Sequence, residues 1–179
     1  MTITTPVPIG QDQQEFTQLL ELYRERQPRR VLEIGTWHGG TLYHWLTNAS
    51  PGGVVVAVDD HHTNAGMYHA WQPPDVELVT IQGDSHNPDT IDQAAQHGPY
   101  DWIFIDAGHT YHDVTADWHN YHPMAAPDAI IAFHDITPTN DPDIDVAALW
   151  LQLAPLNNTI ELTEPGGRGI GVIYLNDEG

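Results

Sequence analysis

The chain has 179 residues, 40% of them apolar and 17% charged, which is enough for one globular domain with a sizeable core. Acidic residues outnumber basic ones by 25 to five and the net charge is −20, so nucleic acids and anionic membranes are disfavoured as partners, and a small neutral or cationic ligand is favoured. The chain has no cysteine, no run of membrane-spanning length and no signal-peptide pattern in residues 1–10, so disulfides and thiolate chemistry are excluded and we expect a cytoplasmic protein.

Helices and strands alternate along most of the chain. Residues 12–26 carry apolar side chains at helical spacing and predict an N-terminal helix that ends before Pro28. Strands are predicted at 30–35, 53–59, 76–82, 100–106 and 129–134, with helices at 39–49, 88–96, 111–124 and 145–153. Residues 60–75 and 136–144 are predicted to be irregular, and strands at 159–162 and 171–175 are joined by a glycine-rich turn with no helix between them.

The strand sequences indicate the fold class. Gly53–Asp59 (GVVVAVD) is a nearly continuous apolar run, which is typical of a parallel strand covered by helices on both faces. We therefore predict an α/β fold with a doubly wound, mostly parallel seven-stranded sheet that ends in a C-terminal antiparallel hairpin. The prediction is a single domain over 1–179, with residues 1–27 as a helical extension.

A glycine-rich turn follows the first predicted strand, in the segment Glu33–Thr41. Open α/β sheets bind ligands at the carboxyl ends of their strands. Trp37 stands where a dinucleotide fingerprint needs glycine, and a P-loop would need a lysine, so the turn suits an uncharged or cationic nucleoside rather than a phosphate. Asp59-Asp60 could bind ribose hydroxyls and Gly83-Asp84-Ser85 an adenine amino group; the alternatives are a solvated strand end and a plain turn.

The motifs LEIGTWHGG, VAVDD and GDS, in this order, resemble those of class I S-adenosylmethionine-dependent methyltransferases over residues 28–175. The resemblance implies a Rossmann-like methyltransferase fold, with the turn at Gly35 against the methionine part, Asp59 at the ribose and Asp84 at the adenine. The sulfonium of that cofactor is a cation, which fits the acidic chain. The cofactor residues that we predict are Glu33, Gly35, Thr36, Gly39, Thr41, Asp59, Asp60, Asp84, Ser85 and Asp106.

Acids and histidines follow the fourth and fifth predicted strands. Asp106 and the pair His134-Asp135 should meet at one edge of a parallel sheet, where converging acids repel one another unless a cation lies between them. We therefore predict a divalent metal on Asp106, His134 and Asp135, which would lower the pKa of an acceptor hydroxyl. His109, three residues after Asp106, is the predicted general base.

The segments IDAGHTYHDVTADW and IIAFHD look like the metal-dependent macrocin O-methyltransferase and cephalosporin hydroxylase-like group. In that group an Asp-x-x-His stretch and a later acid-containing pair supply the metal ligands and the base. The position of His134 is commonly acidic there. An imidazole favours Mn²⁺, Fe²⁺, Co²⁺ or Zn²⁺ over Mg²⁺, or His134 is not a ligand, so the sequence leaves the metal open.

The leading functional prediction is methyl transfer from S-adenosylmethionine to a hydroxyl of a small molecule. One alternative is a metal-dependent hydrolase or lyase that uses the same acids and histidines to activate water, and another is a non-catalytic cofactor-binding module. Acceptor specificity would come from the N-terminal helix, residues 60–75 or 136–144, or a second subunit of a homo-oligomer. The sequence leaves the acceptor open, including oxygen against nitrogen.

Overall fold

The computed structural model describes residues 3–175. Residues 1–2 and 176–179, and with them both predicted ends of the domain, lie outside the described residues. The strands are β1 (Arg30–Ile34), β2 (Val54–Asp59), β3 (Glu77–Gln82), β4 (Tyr100–Ile105), β5 (Ala125–His134), β6 (Asn158–Leu162) and β7 (Ile170–Tyr174). The helices are α1 (Gln13–Arg26), α2 (Gly40–Thr47), α3 (Ala65–Trp71), α4 (Pro88–Ala95), α5 (Tyr111–Tyr121) and α6 (Val146–Leu153).

The seven strands form one sheet in the order β3-β2-β1-β4-β5-β7-β6. The first five strands are parallel, and β7 pairs antiparallel with both β5 and β6. The predicted α/β fold, its mostly parallel sheet and its C-terminal antiparallel hairpin are confirmed. Because β4 lies between β1 and β5, the carboxyl ends of the three strands that carry the predicted site are neighbours.

Helices cover both faces of the sheet, which explains the continuous apolar strands. Successive residues of a strand point to opposite faces. Val31 packs in the core layer that contains Trp45 of α2, and the next residue, Leu32, packs in the layer that contains Trp150 of α6. Each buried strand therefore needs apolar side chains at every position.

The prediction of an irregular stretch over 60–75 is wrong, because residues 65–71 form α3. Tyr68 is its one buried residue, and the ring packs directly below the turn at Gly39. A seven-residue helix with a single buried side chain has too short an apolar pattern to be recognised in the sequence. The segment 136–144 has neither a helix nor a strand, as predicted.

Two boundaries also differ from the prediction. β5 begins at Ala125 rather than at residue 129, and its pairing with β4 shifts register between Tyr100 and Trp102. α5 ends at Tyr121, after which residues 122–124 form a single 3₁₀ turn that contains Pro123. Across residues 3–175, the helices are all too short or too polar to cross a membrane.

Candidate active site

A cavity of about 890 Å³ opens where the five parallel strands end, a size within the range of about 300–1,000 Å³ typical of small-molecule sites. Most of the predicted site residues line it, namely Gly35, Thr36, Thr41, Asp59, Asp60, Asp84, Ser85, Asp106, His109, His134 and Asp135. Glu33 and Gly39 are not among the described residues that line the cavity. Residues 8–11, which precede α1, form a further wall.

The turn at Gly35 brings two strand ends into close backbone contact. Gly35 has a φ of +87°, and its amide donates to the Val58 carbonyl at 2.9 Å. A Cβ at this position would lie far inside van der Waals contact with the Asp106 carbonyl oxygen. The backbone at the end of β4 therefore requires glycine here, and the tight turn packs directly against the backbone of Asp106.

Asp59 holds this turn together through its carboxylate. Its Oδ2 accepts hydrogen bonds from the amides of Thr36 at 2.6 Å and Trp37 at 2.8 Å, and its Oδ1 accepts one from the amide of His61 at 2.8 Å. The bond to Trp37 stabilises a non-glycine residue at a φ of +46°. Asp60 is exposed beside it, and within residues 3–175 its carboxylate has no hydrogen-bond partner.

Glu33 lies behind the cavity, in the protein core. Its side chain is fully buried and accepts a hydrogen bond from the indole nitrogen of Trp45 at 2.8 Å. Burial raises the pKa of Glu33 to about 8, against the hydrogen bonds that favour the carboxylate. Glu33 therefore anchors α2 to β1 as a carboxylic acid near neutral pH.

Two residues that we did not predict support the turn after β3. The amide of His86 donates to Asp84 Oδ1 at 2.8 Å, and the His86 ring nitrogen Nε2 lies 3.3 Å from Asp117 Oδ1 on α5. Asp117 is completely buried, and burial raises its pKa to about 6. Asp117 lies at helical spacing on the buried face of α5. An acid at such a position can be recognised as part of a buried polar contact only when the fold is known.

Asp106, His134 and Asp135 form one compact cluster, in which a possible ligand atom of each lies within 4.8 Å of the others. His134 Nδ1 lies 3.2 Å from Asp106 Oδ1 and 3.3 Å from Asp135 Oδ2. His109 Nε2 reaches the same two carboxylates, at 3.7 Å from Asp106 Oδ1 and 3.3 Å from Asp135 Oδ2. The structure thus brings together the four residues that the sequence predicted after β4 and β5.

The protonation of this cluster reflects its two buried carboxylates. Burial alone would lower the pKa of His134, but Asp106 and Asp135 outweigh it and raise the pKa to about 10. The interaction with Asp106 likewise raises the pKa of His109. Burial raises the pKa of Asp106, yet the two imidazoles outweigh it and hold the pKa below its ordinary value. Protonated imidazole here provides the positive charge that two adjacent carboxylates require.

Gln11 and Arg168 also contact the cluster, although we did not predict them. The Gln11 amide nitrogen donates to Asp106 Oδ2, and Arg168 Nη1 lies 3.6 Å from Asp135 Oδ1. Gln11 has no signal in the sequence, because it reaches the site only through the course of the chain before α1. Arg168 has a weak signal in the sequence, since it is the only arginine or lysine after Arg30 and lies in the glycine-rich turn.

The family model described as "Methyltransferase domain" matches residues 32–136, which contain the Gly35 turn, Asp59, Asp84 and the Asp106 cluster. The chain belongs to this methyltransferase family. The demethylmacrocin O-methyltransferase of Streptomyces fradiae is 27% identical to it over 122 residues, which cover 64% of this chain and 29% of that protein. This methyltransferase domain spans 18% and 29% of the lengths of the curated relatives that it matches.

Solved structures of O-methyltransferases share the fold of this methyltransferase domain. The Bacillus cereus O-methyltransferase in complex with SAH has a TM-score of 0.71 at 20% identity, covering 94% of this chain and 83% of that one. MycE methyltransferase from the mycinamycin biosynthetic pathway, in complex with Mg and SAH, has a TM-score of 0.63 at 20% identity, covering 93% and 50%. The predicted methyltransferase fold and the resemblance to the macrocin O-methyltransferase group are confirmed.

Proposed function

We propose that this domain transfers a methyl group from S-adenosylmethionine to a hydroxyl of a small molecule, with a divalent metal at Asp106, His134 and Asp135. The observation that carries the proposal is the position of the acid and histidine cluster in the same cavity as the Gly35 turn. The SAH and Mg named with the similar O-methyltransferase structures also support it.

We propose that the nucleoside cofactor binds along the part of the cavity wall that follows β1, β2 and β3. Because the Asp59 carboxylate already holds three backbone amides, we propose Asp60 as the residue that binds the ribose hydroxyls, with Asp59 shaping the turn. Asp84 and Ser85 lie after β3 in the wall of the cavity, and we propose that they bind the adenine. Six carboxylates line the cavity, which favours the positively charged sulfonium of S-adenosylmethionine over its neutral product; they belong to Asp59, Asp60, Asp84, Asp106, Asp113 and Asp135.

The donor set at the cluster fits a divalent metal. It offers two carboxylate oxygens and one imidazole nitrogen, a combination that suits Mn²⁺, Fe²⁺, Co²⁺ or Zn²⁺ better than Mg²⁺. Asp106 and Asp135, which raise the pKa of His134, attract positive charge to this position, and a bound metal would take the place of the proton on the imidazole. When bound, the metal would act as a Lewis acid and lower the pKa of the acceptor hydroxyl.

His109 is the residue that we propose as general base. Its side chain is 43% exposed, so an acceptor in the cavity can reach it, and its Nε2 lies close to both carboxylates. The imidazole would accept the hydroxyl proton at Nε2 while Asp106 and Asp135 stabilise the resulting imidazolium. Displacement at the sulfonium then depends mainly on alignment of the two reactants.

Calorimetric titration of the protein with S-adenosylhomocysteine tests the cofactor assignment. We expect saturable binding that falls at least tenfold in Asp60→Asn, whereas Asp128→Asn, an exposed acid at the opposite edge of the sheet, should bind as the natural protein does. An absence of saturable binding would remove the proposal. Turnover of an ester or phosphoester without any nucleoside cofactor would favour the metal-dependent hydrolase instead.

Metal dependence is tested separately. We expect methyl transfer to be lost after treatment with EDTA and restored by Mn²⁺, and Asp135→Asn to need much more Mn²⁺ than the natural protein. Full activity in EDTA would make the mechanism metal-free while leaving the cofactor assignment intact. That the acceptor is a small molecule, and that a second subunit of a homo-oligomer contributes to its binding, are parts of the same proposal.

A further inference from the structure

Arg168 is the only arginine that lines the cavity within residues 3–175. The other four, Arg24, Arg26, Arg29 and Arg30, lie at the end of α1 and the start of β1, where the strands begin, and so at the opposite edge of the sheet from the cavity. In a chain with five basic residues against 25 acids, this single guanidinium next to the acid and histidine cluster is a distinct chemical feature.

The loop that carries Arg168 is held firmly by a buried carboxylate. Glu15, in the first turn of α1, is fully buried and accepts hydrogen bonds from the amides of Glu164 at 2.9 Å and Gly169 at 3.0 Å. The Arg168 carbonyl in turn accepts a hydrogen bond from the amide of Thr137 at 2.8 Å. The backbone of Arg168 is thus fixed from both sides, which sets the position of its side chain relative to Asp135.

The guanidinium itself has unused hydrogen-bonding capacity. Within residues 3–175 its only charged contact is Asp135 Oδ1, at 3.6 Å, and the side chain is 46% exposed. Asp135 presents its other oxygen, Oδ2, to His109 and His134. Arg168 is therefore separated from the proposed metal and base by one carboxylate, with donors available on the cavity side.

We infer that the acceptor carries a carboxylate close to its reacting hydroxyl, and that Arg168 binds this carboxylate. The inference rests on the proposed function and adds the substrate class to it. Arginine is the side chain best suited to a planar carboxylate, because its fork of N–H donors matches the two oxygens. A hydroxyl at the cluster and a carboxylate at Arg168 would orient the acceptor through two points, which is what methyl transfer requires.

The local charge balance favours a singly charged group over a phosphate. Asp106 and Asp135 would offset a divalent metal, which leaves the charge of Arg168 unbalanced among these four groups. A carboxylate neutralises that one charge. A phosphate would bring a second negative charge towards the acids at Asp59, Asp60 and Asp84.

The test uses matched acceptor pairs that differ only in this charge, namely salicylate with salicylamide, protocatechuate with its amide, and glucuronate with glucuronamide. Binding to the full chain loaded with S-adenosylhomocysteine and Mn²⁺ is measured by calorimetry. We expect at least one carboxylate to bind about tenfold or more tightly than its amide, since hydrogen bonds between two charged groups are stronger than those to a neutral amide. Arg168→Gln should abolish the preference, Arg168→Lys should retain part of it, and Arg29→Gln, which makes the same charge change at an exposed remote site, should leave it unchanged.

The outcomes separate this inference from its competitors. If no pair shows the preference, or if it survives in Arg168→Gln because the metal alone binds the carboxylate, the inference is overturned. A tenfold loss of S-adenosylhomocysteine affinity in Arg168→Gln would assign the guanidinium to the carboxylate of the cofactor and also overturn it. Failure of the natural protein to bind S-adenosylhomocysteine removes the proposed function itself, whereas intact cofactor binding without any carboxylate preference removes the inference alone.

Discussion

Gly35 occupies a position that leaves no room for a side chain. We expect Gly35→Ala to lower the free energy of unfolding by more than about 3 kcal/mol, because the new Cβ would overlap the Asp106 carbonyl and occupy a positive φ. Gly166→Ala is the matched control, since Gly166 has nearly the same φ, +86°, with no atom within 4 Å of an added Cβ. It should cost about 1 kcal/mol. Urea unfolding of both variants measures the difference, and equal losses would contradict the role of the close backbone contact.

Because burial raises the pKa of Glu33, the stability of the protein should depend on pH. Its pKa of about 8 in the folded protein lies above its ordinary value of 4.5, so between these values the unfolded chain has released a proton that the folded protein still binds. The free energy of unfolding should therefore fall as pH rises through this range, by up to about 1.4 kcal/mol per pH unit from this group. Glu33→Gln keeps an acceptor for Trp45 but cannot ionise, so its stability should fall less between pH 5 and pH 8.

Denaturant unfolding at a series of pH values tests this prediction. Because other groups titrate equally in both proteins, the difference between the two curves isolates Glu33. Parallel curves for the natural protein and Glu33→Gln would show that Glu33 is ionised in the folded state.

The sequence predicted the roles of the individual site residues only in part. Asp106, His109, His134 and Asp135 could be grouped in advance because parallel strands end at a common edge, and adjacent strands were identified correctly. The resemblance assigned the ribose to Asp59, whereas we propose Asp60, because the sequence does not show that the Asp59 carboxylate faces the backbone amides of the turn. Gln11 joins the site through a segment without regular structure, which no periodicity predicts.

At the level of elements, α1 does more than cover the sheet. Through Glu15 it holds the β6–β7 loop, and this loop brings Arg168 to the wall of the cavity. Glu15→Gln replaces one acceptor oxygen by an NH₂ group that faces a backbone donor. We expect a loss of about 1–3 kcal/mol in stability and faster hydrogen exchange at the amides of Glu164 and Gly169.

Glu21→Gln, at an exposed position of the same helix, is the control and should leave both measurements unchanged. If the Glu164 and Gly169 amides exchange as slowly in Glu15→Gln as in the natural protein, the carboxylate does not hold the loop.

Elements with long apolar patterns were predictable, and short ones were not. Three of the parallel strands, β1, β2 and β4, and the second half of β5 are buried on both faces, so their sequences are distinctive whatever packs against them. α3 has one buried residue and depends on tertiary contact with the turn at Gly39, so its sequence carries almost no helical pattern. The first residues of β5 include Pro127, which argues against a strand unless the register shift is known.

For the molecule as a whole, the net charge of −20 predicts a strong effect of salt. Repulsion among the 25 acids destabilises the compact state, and salt screens it. We expect the Tm to rise as NaCl increases from about 10 mM to about 500 mM, where the Debye length falls below roughly 5 Å. Calorimetric scans provide the measurement, and a Tm that falls with salt would mean that favourable ion pairs dominate.

We propose that one cavity holds the cofactor and the metal side by side. Diffraction at the manganese edge from crystals grown with S-adenosylhomocysteine and Mn²⁺ would locate both. We predict an anomalous peak within about 2.0–2.3 Å of ligand atoms of Asp106, His134 and Asp135, with the nucleoside against Asp60 and the Gly35 turn. Manganese bound elsewhere, or a nucleoside outside this cavity, would show that the two sites are not neighbours.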